Sequence, residues 1–456
     1  MTDTIAAIAT PPATGAIGII RLSGPNARAV ADRIFFPFSN RPLSELAPRC
    51  AHFGAITDFD GKLLDKALAL TFIAPASYTG EDCVELQCHG GLRLLDRVLA
   101  LCFAAGARQA LPGEFTKRAF LNGRLDLTEA EAVADLIHAE TAEGVENAAA
   151  QLSGRLSDEL SSIYNILLDL TSHFTAYIDY SDEGVEPPDL SGAEADCKSA
   201  AERLSTLAAS FADGRLFTEG VRTAIVGKPN AGKSSLLNTL CGYERSIVTD
   251  LAGTTRDTVE ESVQVGPAIL RLIDTAGIRE DAEIIERMGI ERSRTAMQQA
   301  GLVIAVFDAS TAIDEADREV LNLLASCEAP VITVCNKTDL PPMIDRTADP
   351  LLAKAVTISA ATGEGLEELK QAIVQTLGSG RVRHDGSVIT NRRQAEALTR
   401  AAQSAKNAAE ALGAGFTPDI AWIDAEAALS AIGEVTGTTV NEAILDRVFE
   451  RFCVGK

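Results

Sequence analysis

The run Val221-Arg222-Thr223-Ala224-Ile225-Val226 reads as a buried strand, and it leads directly into Gly227-Lys228-Pro229-Asn230-Ala231-Gly232-Lys233-Ser234, after which a helix begins. A GxxxxGKS sequence between a strand and a helix commits this stretch to holding phosphate. Its glycines let successive backbone N–H groups wrap an anion. The helix start, which includes Ser235, adds the positive end of its dipole. Lys233 is placed to reach β- and γ-phosphates, and the Ser234 hydroxyl to bind Mg²⁺. The bland alternative for this stretch is a glycine-rich turn.

Three further short motifs follow in a fixed order. A strand over 269–273 ends in Asp274-Thr275-Ala276-Gly277, where Asp274 can hold the Mg²⁺ shell and the Gly277 N–H can meet a γ-phosphate. A strand over 331–335 ends in Asn336-Lys337-Thr338-Asp339. The Asp339 carboxylate can accept from both N1–H and N2–H₂ of guanine, a donor pair adenine lacks, while the Lys337 stem can cover the base. Ser359-Ala360 fits a last base-contacting loop. Each motif alone is weak. In this order, each at the C-terminal end of a strand, they specify a doubly wound α/β domain that hydrolyses GTP. Two positions are unusual. Ile278 stands where Ras-type domains keep a water-orienting glutamine, so another residue must orient the water. Asn230 lies inside the loop, either as a polar turn residue or as an amide ligand for a cation beside the phosphates.

The flanks have different patterns. Residues 1–120 mix strands over 16–22, 67–72 and 82–88 with a helix over 92–104. From Thr128 the pattern is helical to about 217. Thr128 and Glu131 offer a capping box, Pro187-Pro188 interrupts the run, and Ser191 can cap the next helix. Helices return over 392–412 (ended by Gly413), 420–432 (ended by Gly433) and 441–453. The expected organisation is multidomain. An α+β domain spans 1–120. A helical domain spans 121–216 and 379–456. A Ras-like P-loop G domain over 217–378 is inserted into it.

Composition limits the partners. A net charge of −23 repels bulk nucleic-acid backbone, so any such role needs a local basic patch or a basic partner. Arg381, Arg383, Arg392 and Arg393 form one modest cluster, which reads more readily as a solvated face than as a binding site. Nine scattered cysteines without a CxxC pair fit reduced thiols in a cytoplasm. Cys83, Cys88 and His89 lie close in sequence, but their spacing suits a half-buried strand better than a zinc site. No apolar run approaches the length that spans a bilayer, roughly 20 residues. Met1-Thr2-Asp3-Thr4 lacks a basic leader.

Several stretches together resemble the tRNA-modification GTPases of the MnmE (TrmE) family. They are Ala9-Thr10-Pro11-Pro12, Tyr78-Thr79-Gly80-Glu81-Asp82, Pro112-Gly113-Glu114-Phe115, the run Arg118-Ala119-Phe120-Leu121-Asn122-Gly123-Arg124-Leu125-Asp126-Leu127, Gly253-Thr254-Thr255-Arg256-Asp257, and the closing Phe452-Cys453-Val454-Gly455-Lys456. The resemblance implies a homodimer working with the FAD- and NADH-using protein MnmG, in a heterotetramer, on tRNA. The pair would install an aminomethyl-type group at C5 of the wobble uridine. The one-carbon unit would come from 5,10-methylene-tetrahydrofolate, with 5-formyl-tetrahydrofolate as its stable relative. Folate would meet Arg21, Glu85, Arg124 and Lys456. K⁺ would be held by Asn230, Thr249, Leu251 and Thr254, and Thr255 would join Ser234 on Mg²⁺. Glu286 would orient water in place of the missing glutamine, and Cys453 would stand near the one-carbon unit. From pattern alone Cys453 is a small buried residue finishing a helix face formed by Ile444, Leu445, Val448, Phe449 and Phe452. Two other readings share the G motifs: a ribosome-assembly GTPase, and a GTP-driven scaffold without tRNA chemistry.

Overall fold

Alternation of apolar and polar side chains builds the first sheet. A computed structural model of the chain describes residues 3–179, 189–243, 261–273, 295–378, 386–440, 442–450 and 452–456, and these fall into two compact units. The first comprises 1–134, 151–200 and 403–456. Its strands are β1 (Ile5–Ile8), β2 (Ile17–Ser23), β3 (Phe35–Pro37), β4 (His52–Thr57), β5 (Leu63–Phe72), β6 (Cys83–His89) and β7 (Arg108–Gln109). They form one sheet in the order β3-β4-β5-β6-β2-β1-β7, antiparallel except at β1–β7. Helices α1 (Ala27–Asp32) and α2 (Leu92–Ala104) cover one face, where Ile20, Leu22, Val84, Leu86, Leu95 and Val98 are buried together. Gly18 permits this approach: a Cβ there would lie 2.3 Å from Leu95 Cδ1. Helix α3 (Glu114–Leu121) follows the sheet.

The next helices are α4 (Leu127–His138), α5 (Ala142–Leu152), α6 (Arg155–Asp179), α7 (Leu190–Ala209) and α8 (Phe211–Thr218). Helix α6 packs along the helix Pro418–Thr436. Three local expectations are corrected. The capping box of α4 is Asp126 with Glu129, each side chain accepting from the other's backbone N–H, because Thr128 instead turns its hydroxyl to Asp126 Oδ1. Asp189, not Ser191, caps α7, accepting from the Ser191 N–H and hydroxyl. The helix expected to stop at Gly433 runs on to Thr436, with left-handed Gly437 as its stop. Pro187 and Pro188 lie outside the described residues.

The second unit comprises 135–150 and 201–402. Strands β8 (Val221–Val226), β9 (Glu261–Val265), β10 (Ala268–Ile273), β11 (Leu302–Asp308), β12 (Val331–Asn336) and β13 (Val356–Thr357) form a sheet in the order β13-β12-β11-β8-β10-β9. All pairings are parallel except β9–β10. β11 is buried along its whole length, as a central parallel strand covered on both faces should be. Leu302, Ile304 and Val306 join one apolar layer with Leu236 and Leu240 of α9 (Lys233–Tyr243), while Val303, Ala305 and Phe307 join another with Leu321 and Leu324. This is the P-loop G-domain fold. Loops at the C-terminal ends of β8, β11 and β12 converge on one edge, where such sheets bind ligands.

Candidate functional sites

The P-loop is shaped by residues that accept left-handed backbone. Gly227, Asn230 and Gly232 have φ of +151°, +63° and +96°. A Cβ on Gly227 would meet Val306 O at 2.3 Å, and one on Gly232 would meet Asn336 Nδ2 at 2.0 Å. These two positions therefore tolerate only glycine. The Lys233 ammonium donates to Gly227 O and Lys228 O, both at 2.8 Å. Ser234 and Ser235 open α9, and Ala231 is fully buried beneath the loop. Asn230 is exposed at the loop's crest.

Asn336 braces this loop. Its buried amide donates to Ala231 O at 3.0 Å and accepts from the Ala360 N–H at 2.9 Å, joining the phosphate loop to the last base loop. The Ser359 hydroxyl donates to Asp339 Oδ1 at 2.6 Å and so fixes that carboxylate beside the loop. Lys337, itself at φ +69°, donates to Asp308 Oδ2 at 2.6 Å. Burial pushes the Asp308 carboxyl up, but hydrogen bonds from Lys337 and Ser310 outweigh this and hold it below the usual range. Lys228 reaches the same loop after β11. Its Nζ donates at 2.8 Å to both Asp314 and Asp317, which form the reciprocal capping box of the helix Glu315–Ala325. The expected Thr249, Leu251, Thr254, Thr255, Asp274, Thr275, Ala276, Gly277, Ile278 and Glu286 lie outside the described residues, as do Arg381 and Arg383.

A second cluster lies in the first unit. Arg21 and Glu85, cross-strand partners on β2 and β6, form an ion pair at 2.9 Å. The Arg21 guanidinium sits 5.7 Å from both the Tyr78 and Phe115 ring centres. That is within cation–π range. Tyr78 also lines a pocket of about 380 Å³ with Arg49 and Arg124. The chain terminus threads into this region. Pro112 bridges Val454, the Gly113 N–H donates to Cys453 O, and the Phe115 N–H donates to Lys456 O at 3.1 Å. Gly455, at φ +102°, passes so close that a Cβ would lie 2.3 Å from Ile8 O. The last helix is Glu442–Phe449, shorter than expected, and it buries Leu445, Val448 and Phe449. Cys453 lies beyond it and is exposed, so the reading of a small buried residue closing the helix face is wrong; Phe452 is the buried one. Cys83 and Cys88 occupy opposite ends of β6, Cys83 beside Ser23 and Thr79.

Comparison with known proteins decides the family. A model of the MnmE helical domain matches residues 127–453, and one of the GTP-binding protein TrmE N-terminus matches 4–124. The chain is 43% identical over 468 residues to the tRNA modification GTPase MnmE of Roseiflexus sp. (strain RS-1), covering 100% of this chain and 99% of that protein. It is 41% identical over 457 residues to the protein of the same name from Geobacter sulfurreducens, with the same coverage. The chain belongs to the MnmE family. Among solved structures, the G domain of the T. maritima FeoB iron transporter is 29% identical, covering 34% of this chain and 98% of that one, with a TM-score of 0.26.

MnmE-family membership makes the chain a GTPase of tRNA modification. Three features of these two sites do not follow from the sequence. The Asn336 brace was hidden because Asn336 belongs to a motif usually assigned to base contact. Lys228 was passed over as a loop residue, although Asp314 and Asp317, spaced three apart before an apolar run, signalled a helix start for it to meet. Tyr78 and Phe115 stand in family-like stretches, and no local pattern says that both would lie against Arg21.

Proposed function

We propose that the chain hydrolyses GTP at the P-loop site and, with the FAD- and NADH-using protein MnmG, uses that cycle to install an aminomethyl-type group at C5 of the wobble uridine of tRNA. The four-segment domain organisation, a homodimer, a heterotetramer with MnmG and a cytoplasmic setting belong to the same reading. Among the described residues no helix is long and apolar enough to cross a membrane. The observation that carries the reading is the Asn336 brace beside Asp339. One amide ties the phosphate loop to the base loop, while Ser359 holds the guanine-reading carboxylate in place.

The described residues of the P-loop suit a nucleotide, and those around Arg21 suit a folate; Thr249, Leu251, Thr254, Thr255 and Glu286 lie outside the described residues. Gly227 and Gly232 let the loop pack against Val306 O and Asn336 Nδ2 where any Cβ would clash, and the left-handed backbone they allow suits a loop that wraps a triphosphate; Ser234 with Thr255 would hold Mg²⁺. Bound there, Mg²⁺ would neutralise developing phosphate charge. Lys233, which here donates to the Gly227 and Lys228 carbonyls, would turn to a γ-phosphate, and Glu286 would orient water. Asn230, Thr249, Leu251 and Thr254 would hold K⁺. Arg21, Glu85, Arg124 and Lys456 would hold 5,10-methylene-tetrahydrofolate or its 5-formyl relative, which supplies the one-carbon unit. The paired Arg21–Glu85 offers a donor and an acceptor to a pterin edge, with the Tyr78 and Phe115 rings beside the guanidinium. Cys453 is exposed on the terminal segment and is available as a nucleophile or base. Hydrolysis should run faster in K⁺ than in Na⁺, and Asn230→Ala should abolish that difference while leaving GTP affinity within about twofold. Equal wild-type rates in the two salts would remove K⁺ from the reading.

A further inference from the structure

The pocket beside Tyr78 holds two cations that no carboxylate among the described residues pairs with. Its volume is about 380 Å³. That is sufficient for a small ligand group. Arg49 enters it from the loop before β4, and Arg124 from the turn after α3. Arg49 donates its side chain only to a backbone carbonyl, Ala76 O, at 3.1 Å. Neither arginine has a carboxylate partner among the described residues. Elsewhere in this unit Arg21, Arg97, Arg108 and Arg118 do, while Arg28 and Arg33 each donate to a backbone carbonyl; what sets Arg49 and Arg124 apart is that both line one pocket. The chain has 64 acidic residues against 41 basic ones, so acids are plentiful. Two arginines meeting in one pocket without an acid mark a place where the anion comes from outside.

The pocket is continuous with the Arg21–Glu85 cluster through one residue. Tyr78 lines the pocket on one side, and Arg21 lies over its ring. Its phenol is fixed by Thr116 Oγ1 at 2.8 Å. Phe72 and Pro75 supply an apolar wall. Arg49 is itself pre-positioned: its backbone N–H donates to Thr71 O at 2.8 Å and its guanidinium to Ala76 O. Both contacts limit the freedom lost on binding.

We propose that this pocket is a subsite for a chain of carboxylates. It takes the second and later glutamates of a poly-γ-glutamyl reduced folate, and Arg49 is the residue that selects for that tail. This inference rests on the folate reading above. Arg124 meets the first glutamate's carboxylates and Arg49 those that follow, each through charge-assisted N–H···O bonds that a planar guanidinium makes in pairs.

The test is calorimetric titration of the full-length protein with mono- and triglutamyl 5-formyl-tetrahydrofolate at low salt. Wild type should bind the triglutamate about tenfold more tightly, or about 1.4 kcal/mol, with the advantage shrinking as salt screens it. Arg49→Gln should erase the advantage and leave monoglutamate affinity within about twofold, whereas Arg49→Lys should keep part of it; a melting curve on each variant checks folding. Equal wild-type affinity for both folates would overturn the subsite and leave the folate reading standing. Loss of monoglutamate binding in a folded Arg49→Gln protein would also overturn it, because Arg49 would then serve the first glutamate. Displacement of the triglutamate by unmodified tRNA from wild type but not from Arg49→Lys would assign the pocket to backbone phosphate instead. If wild type binds neither folate, the folate reading fails and takes the subsite with it.

Discussion

Asn336 and Lys228 share a task that neither motif nor spacing announces, which is to hold the phosphate loop in shape through partners outside it. Asn336 does so through two backbone groups, Ala231 O and the Ala360 N–H. Lys228 does so by a side chain pinned between two carboxylates, one of them, Asp317, almost fully buried. Its own carbonyl receives Lys233. Burial pulls the Lys228 ammonium's pKa down, but the hydrogen bonds it donates to Asp314 and Asp317 prevail and leave it raised, so it stays charged throughout the physiological range. Replacing it with methionine leaves Asp317 buried beside an apolar chain. Lys228→Met should therefore raise the KM for GTP by roughly tenfold or more, equivalent to about 1.4 kcal/mol, with a smaller effect on kcat. Lys228→Arg should restore most of the affinity. Unchanged steady-state constants in Lys228→Met would show that the tether has no part in the site.

At the scale of elements, regular structure was legible wherever periodicity was strong and less so at its ends. Strand β8, the loop and α9 were readable because strand, glycines and helix start coincide within a few residues. The helix over 92–104 was read to the residue, because Leu95, Val98 and Cys102 repeat on its buried face. The start of α4 was misplaced because two acceptable caps overlap: Thr128 with Glu131, and Asp126 with Glu129. Asp126 prevails because its carboxylate accepts from Glu129 N–H, Thr128 Oγ1 and Ser157 Oγ together, which a hydroxyl cannot do. Asp126→Ala should destabilise this unit by about 1 kcal/mol or somewhat more, read as a lower midpoint in urea with an unchanged slope, whereas Thr128→Val should cost less. The reverse ranking would return the cap to Thr128. The terminal segment was misread as helix because its apolar spacing continues past Phe449. What stops the helix is long-range: residues 453–456 pair with the Pro112–Phe115 turn instead, and no local window contains that partner.

Across the whole molecule, the fold was readable as a class and the two sites unequally. The G-domain motifs carry their chemistry in short local strings. The N-terminal site is assembled from β2, β6, the Tyr78 loop, α3 and the chain end, so sequence alone could offer it only by resemblance. In the same unit lies an ionic cluster centred on a buried arginine. Arg118 is fully buried and pairs with Asp3, Glu81 and Glu114, while Arg108 pairs with Asp3 and Glu114. Burial pushes the Asp3 and Glu114 carboxyls up, but the arginine hydrogen bonds outweigh it and hold both below their ordinary 3.8 and 4.5. A carboxyl lowered by folding contributes stability that is present above its unfolded pKa and lost as pH falls through its folded value. The melting temperature should therefore drop as pH falls below about 4.5. Glu114→Gln should start from a lower melting temperature and show a shallower acid limb. An acid limb as steep as wild type would place the titrating groups elsewhere.

The claim on which the rest depends is that guanine recognition at Asp339 drives tRNA modification. It can be read in one reconstituted assay with MnmG, tRNA and a folate one-carbon donor, following the wobble uridine by mass spectrometry. Wild type should modify tRNA with GTP and not with xanthosine triphosphate. Asp339→Asn should reverse that choice, because the amide N–H₂ can donate to the xanthine C2 carbonyl but cannot accept from both guanine donors. Modification by wild type at full rate with no nucleotide, or undiminished use of GTP by Asp339→Asn, would contradict the account.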